Sequence, residues 1–266
     1  MNEKKYHTLF ICFLIASLAL SFGCAAADHP RNTSKSFSEL MIRYPASDGT
    51  FRPRRITAES AAALPGKPSP NEVYIIVHPA YSMFFRDLSK NIYSDDKFSL
   101  LKNQFDHEEQ IIKEQINADR IVVLVLPGNY LNDSFAPQGY VSYLNALTQG
   151  RQSIYYVLSE ASSTGTLPTS DMVNLYLFLE TVNAKNVMIG GGYIGRCQRE
   201  FYNQFTNYVE SSRTFIVPEI STISPEDVSD DEAVEIVERL RVHDYSPIKT
   251  FIDKKGGGKA NILSIP

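Results

Sequence analysis

Between residues 71 and 244 short apolar runs alternate with longer amphipathic stretches. Five runs, Val73–Val77, Ile121–Leu126, Ile154–Leu158, Val187–Ile189 and Thr214–Val217, are β-branched or aromatic and show no polar alternation. Strands buried on both faces read this way, whereas a strand with one wet face alternates. The stretches between them have helical spacing. Asp95 to Ala118 carries Phe98, Leu101, Phe105, Ile112 and Ile116 on one side. Val141, Leu144 and Leu147 precede Gly150, a C-cap residue. Met172, Leu175, Leu179 and Val182 follow Ser170, an N-cap residue. Phe201, Phe205 and Val209 lie four apart. Ala233, Ile236, Val237 and Leu240 follow Ser229-Asp230-Asp231-Glu232, the capping-box pattern.

Strand and helix alternating at roughly 30-residue intervals predicts βαβ units. The expected fold is α/β: a single Rossmann-like three-layer domain over 71–244, with a mostly parallel sheet of five or more strands. Right-handed crossovers bring all the strand ends to one edge. Residues 245–266 read as a C-terminal extension, mobile or packed, and 24–70 as an attachment segment and a linker or lead-in. The run Leu64-Pro65-Gly66-Lys67-Pro68-Ser69-Pro70 carries the linker character.

Residues 1–27 have a different pattern. Lys4 and Lys5 precede a continuous apolar segment, Leu9 to Phe22, too short for an ordinary membrane span, and small residues follow. It reads as an export signal, with residues 1–23 as the signal peptide; the plain alternative is an N-terminal anchor that is retained. Leu20-Ser21-Phe22-Gly23-Cys24 resembles a bacterial lipoprotein signal, in which Cys24 becomes the lipidated first residue. That resemblance implies a domain anchored to a membrane of the bacterial cell envelope through Cys24, facing the periplasm or the exterior. Cleavage after Ala25-Ala26-Ala27 would instead release a soluble periplasmic protein.

Composition adds limits. The 266 residues are 43% hydrophobic and 21% charged, with a formal net charge of −4. These are the values of an ordinary globular chain. No basic patch is visible, so nucleic acid is not an expected partner. Cysteines stand at 12, 24 and 197. The first two lie in the leader region, so no disulfide is available to the domain and its stability rests on the core.

Candidate chemistry gathers at the predicted carboxyl ends of the strands, where open α/β sheets bind ligands. His78, Pro79 and Tyr81 follow the first strand, and Pro127-Gly128-Asn129-Tyr130 end the second. Ser159-Glu160 follow the third, Gly190 to Cys197 the fourth, and Glu219 and Ser221 the fifth. Asn129, Glu160, Gly191, Gly192, Arg196 and Glu219 are the candidate ligand contacts. One histidine and scattered carboxylates do not make a metal set, and no cofactor is expected.

Gly190-Gly191-Gly192-Tyr193-Ile194-Gly195 matches G-x-G-x-x-G and resembles the NAD-binding segment of flavin disulfide oxidoreductases. The turn falls on the fourth strand, however, and Glu219 lies 29 residues after Gly190, later than the spacing of about 20. The next helix opens on the bulky Arg196-Cys197-Gln198-Arg199. The turn therefore reads as a steric one that needs positive φ.

Cys197 has two readings. At a helix N-terminus beside Arg196 its thiol pKa should fall, which favours a nucleophile. As the top of the stripe Cys197, Phe201, Phe205, Val209 it would simply pack on the sheet. A glycine-rich strand end leading into a helix that opens on Cys197 also resembles the isochorismatase-like cysteine hydrolases, over residues 72–241. The resemblance implies a nucleophilic Cys197. His78 stands where that family has its Asp, and neither 127–135 nor 159–166 supplies its Lys.

Two functions from different classes follow. One is a binding or accessory module for a small molecule or an envelope protein. The other is a hydrolase or transferase with Cys197 as nucleophile and His78 as base.

Overall fold

The computed structural model describes residues 43–44, 53–62, 71–84, 93–118, 120–128, 139–148, 154–255 and 260–265, all within one unit of the chain. Residues 1–27, with Cys24, lie outside the described residues, as do Asn129 and Gly150. Among the described residues no helix is long and apolar enough to cross a membrane.

The strands are β1 (Arg54–Arg55), β2 (Glu72–Val77), β3 (Ile121–Leu126), β4 (Ile154–Leu158), β5 (Asn186–Gly192), β6 (Thr214–Thr222) and β7 (Asn261–Ile262). They form a seven-stranded sheet in the order β1-β4-β3-β2-β5-β6-β7, with every pairing parallel. The helices are α1 (Ala58–Ala62), α2 (Tyr81–Phe84), α3 (Asp95–Asn117), α4 (Tyr140–Thr148), α5 (Thr169–Thr181), α6 (Cys197–Phe205), α7 (Asp230–Arg241) and α8 (Ser246–Lys255). The fold is the expected three-layer α/β architecture.

The apolar runs become the central strands because both of their faces are covered. On β2, Val73, Ile75 and Val77 enter one core cluster while Tyr74 and Ile76 enter the other. The first cluster takes in Met172, Leu175 and Phe178 of α5, Phe201 and Phe205 of α6, and the apolar faces of α7 and α8. The second takes in Phe105, Ile112 and Ile116 of α3 and Tyr140, Tyr143 and Leu144 of α4. Alternate residues of a strand point to opposite faces, so an unbroken apolar run fills both cores at once.

The segment from 245 onward packs on the domain and supplies α8 and the edge strand β7. The lead-in supplies β1 and α1. One expectation is corrected: helix α5 is capped at Pro168, not Ser170, and without a side-chain cap bond. Proline there fixes φ near a helical value one residue before the helix, and Asp171 places a carboxylate in the first turn. The capping box at Ser229 and Glu232 forms as read.

The order of the strands fixes where a ligand can enter. From β2 the chain winds outward to β3 and β4, then returns through α5 to place β5 on the other side of β2. The connections leaving β2 and β5 therefore diverge, and a crevice opens between their carboxyl ends.

Candidate functional site

A cavity lies at that crevice. Its walls include His78 and Ala80 after β2, Leu101, Phe105 and Glu108 from α3, and Gly192, Tyr193 and Cys197 at the junction of β5 with α6. It has about 40 Å³ of free room, a few times what one water needs.

The glycine turn closes the base of this site. Gly191 and Gly195 have φ of 89° and 76°, so the turn does need positive φ. A Cβ on Gly191 would run into the Val77 carbonyl of β2, and one on Gly192 into the Thr222 hydroxyl of β6. The glycines thus let three strands close up, and only Gly192 reaches the cavity wall. Gln198, fully buried, ties the start of α6 down by donating to the Gly191 carbonyl (3.1 Å) and the Ser221 hydroxyl (2.7 Å).

Cys197 is the first residue of α6 and half-buried, with its carbonyl against Gly165. The expected fall in its pKa is corrected. Burial and then the Glu200 carboxylate push the thiol up to about 11, against backbone hydrogen bonds at Cys197 and Tyr193 and the charge of Arg196. The helix N-terminus is present, but desolvation of the thiolate outweighs it. Arg196 is engaged elsewhere: its guanidinium grips Asp227 through two nitrogens (3.2 and 3.1 Å) and reaches Glu226 (3.0 Å).

His78 is 2% exposed and follows β2 with φ of 47°. Its Nε2 lies 3.0 Å from the Ser159 hydroxyl oxygen. That hydroxyl has a single proton, and the Ala161 carbonyl stands 2.7 Å away to receive it. The oxygen therefore accepts from Nε2–H, which leaves Nδ1 as the acceptor nitrogen. Burial lowers the His78 pKa to about 3, so the ring is neutral near pH 7 and a weak base.

Glu108 was not among the candidates read from the sequence. It is 2% exposed, and its Oε1 accepts the Ala80 N–H at 2.9 Å. Burial raises its pKa to about 8, opposed by that hydrogen bond and reinforced by Glu109. The signal was present: Leu101, Phe105, Glu108 and Ile112 run down one helical stripe, with an acid where the pattern calls for an apolar residue.

The remaining candidates lie off this cavity. Glu160 is exposed and accepts from the Thr166 hydroxyl at 3.0 Å. Glu219 sits within β6, where burial raises its pKa against hydrogen bonds from its own N–H, Ile265 and Ser264. Among the described residues no group of three or more metal-ligating side chains is gathered.

The chain matches no protein-family model and no curated protein. Solved structures with a similar fold include a nicotinamidase from Staphylococcus aureus, at 10% identity over 73% of this chain and 99% of that one, with a TM-score of 0.43. A nicotinamidase/pyrazinamidase from Bacillus subtilis is 11% identical over 73% and 99%, with a TM-score of 0.45. An octameric hydrolase of unknown specificity from Escherichia coli is 12% identical over 76% and 80%, with a TM-score of 0.42. The likeness is one of α/β fold, and at these values it carries no activity over to this chain.

Proposed function

We propose that this cavity is the active site of a cysteine-dependent hydrolase or transferase acting on a small, uncharged carbonyl compound. One observation carries the reading: a thiol and two buried proton-carrying groups, Cys197, His78 and Glu108, share one cavity at the switch point of the sheet. Among the described residues the rest of the wall is mainly apolar, through Ala80, Met83, Leu101 and Phe105, and includes no Lys or Arg. Such a wall favours a neutral substrate over a carboxylate.

In this reading the Cys197 sulfur adds to the carbonyl carbon as the thiol proton leaves. The leaving group departs with a proton and a thioester remains. Water, or another acceptor, then cleaves the thioester and the sulfur recovers its proton. His78, neutral and held by Ser159, orients the wall near the strand end.

The test is steady-state turnover of 4-nitrophenyl acetate and a panel of small uncharged amides. The wild-type protein should turn over repeatedly, and Cys197→Ser should lose at least about a hundredfold. Equal rates in the two proteins would end the hydrolase reading. The thiol pKa of about 11 is the observation that favours a non-catalytic binding module instead. For that module a ligand retained through purification and unaffected by Cys197→Ser is the expected result.

The export reading is proposed on the residues of the leader alone. In it the domain is held at the cell envelope by a lipidated Cys24. Mass spectrometry of the N-terminal peptide from a bacterial membrane fraction should find a lipid-modified Cys24. An unmodified chain starting after Ala27 would mean a soluble periplasmic protein.

A further inference from the structure

The hydrolase reading leaves one question of chemistry. The thiol must lose a proton, and neither neighbour proposed from the sequence serves. His78 is a weak base whose Nε2–H is committed to Ser159, and Arg196 is engaged with Asp227 and Glu226. A third group stands in the same wall.

We infer that Glu108 is the proton-transfer residue of the Cys197 site, working across the cavity from α3 to the start of α6. The inference rests on the hydrolase reading. Three features of place support it. Glu108 and Cys197 line one cavity, approached from different elements. The cavity they share has room for a few waters only, so water or the substrate itself can link its walls. Glu108 is anchored by the Ala80 N–H, and Ala80 belongs to the turn after His78, so the strand end that forms one wall also fixes the carboxyl. A carboxyl that titrates near the working pH is also suited to giving and taking protons.

The proton balance is complete without a further reactant. Glu108 as carboxylate takes the thiol proton while the S–C bond forms. As carboxylic acid it gives that proton to the leaving nitrogen or oxygen as the C–N or C–O bond breaks. Again as carboxylate it takes a proton from the water that attacks the thioester. It returns this proton to the sulfur as the S–C bond breaks and the acid product leaves.

Among the described residues the charged and titratable groups around the pair are few, with Tyr193 of the cavity wall one of them. Glu108 is faced by His78 after β2, by Tyr143 of α4 and by its neighbour Glu109. Cys197 is faced by Glu200 and Arg196 of its own segment. None of Glu109, Glu200 and Arg196 lines the cavity.

Two measurements test the inference. With 4-nitrophenyl acetate as probe, wild-type turnover should rise with pH through about 8, and Glu108→Gln should lose both that rise and about 10²-fold or more in rate. Glu108→Asp should restore part of each. The near-ultraviolet circular dichroism of Glu108→Gln should match that of the wild type, which shows a folded site. The second measurement uses no substrate. A protonated-carboxyl infrared band should titrate near pH 8, vanish in Glu108→Gln, and move to higher pH once Cys197 carries a carbamidomethyl group, which fills the cavity and excludes the water that solvates the carboxylate. If Glu108→Gln keeps the wild-type rate and pH profile while Cys197→Ser is inactive, the inference fails and the hydrolase reading stands. An infrared titration unmoved by alkylation also overturns it. If Cys197→Ser is as active as wild type, both fall.

Discussion

Glu108 and Glu109 are consecutive residues of one helix, 2% and 1% exposed, and they lead opposite lives. Glu109 faces the segment at residues 43–44, where the Arg43 guanidinium and the Tyr44 hydroxyl donate to its carboxylate, and the Lys113 ammonium donates to it from one turn further along the helix. Glu108 turns to the cavity, and the hydrogen bond it receives there comes from the Ala80 N–H. Both carboxyls have left water. One has been given cationic and hydroxyl partners, so its charge is satisfied and it fastens one part of the chain to another. The other has room in front of it and, among the described residues, one backbone N–H as its donor. A buried acid surrounded by donors is a structural device, whereas one left at the edge of a cavity has proton chemistry available to it.

Substitutions at the two sites should break that contrast if it is wrong. The largest effect is expected from Glu109→Ala, which takes the acceptor from the buried Tyr44 hydroxyl and the Lys113 ammonium and leaves Arg43 with Asp106. Stability should fall by about 4 kcal/mol in a urea titration at pH 7. Glu108→Gln should do the reverse. The pKa of Glu108 is raised in the folded protein, so the acid contributes its full stability below about pH 4.5. That contribution is lost as pH rises to about 8, because the unfolded chain ionises first. Glutamine does not ionise, so the variant should gain on the order of 2 kcal/mol at pH 8 and nothing near pH 4.5. A loss at pH 8 would mean that Glu108 is held as a satisfied carboxylate like its neighbour.

Smaller effects sharpen the same comparison. Ser159→Ala removes the acceptor of the buried His78 Nε2–H and should cost about 1–2 kcal/mol at pH 7, read by the same titration. Lys113→Met removes a half-exposed partner of Glu109 and should cost about 0.5 kcal/mol. A cost near that of Glu109→Ala would show that the ammonium alone carries the Glu109 site.

The central sheet was legible because burial on both faces writes itself into the chain. β3 and β4 begin and end where their apolar runs do, and β2 begins one residue earlier. β5 runs on through the glycines because parallel pairing with β2 continues to Gly191, a position that contacts alone decide. The edge strands were not legible. Arg54–Arg55 and Asn261–Ile262 are two residues each, and they join the sheet through backbone pairing, which leaves no side-chain period. Helix α8 carried a weak sign in Ile248 and Ile252, four apart after Ser246-Pro247.

At the site, Cys197, His78 and Gly192 were readable as strand-end residues, and the fold brings them to one cavity. The sequence could not show that Arg196 would be taken up by Asp227 and Glu226, because that pairing depends on a turn thirty residues away. Nor could helix position alone fix the thiol, since the dipole and the loss of water act in opposite directions and only the surroundings decide between them. Glu108 went unread because a helical period was counted over its apolar members only. The exception within the stripe was the informative residue.

The short strand β7 has a consequence for how the protein is made. It pairs with Phe215 and Ile216 of β6, while Ser264 and Ile265 beyond it bond to Glu219. On a growing chain β6 leaves the ribosome well before residues 261–265 do. During that interval its outer backbone groups lack these partners and can pair with a strand from another chain. Residues 261–265 thus act as a built-in guard against self-association, and a chain cut after residue 259 would be more prone to clump than to unfold.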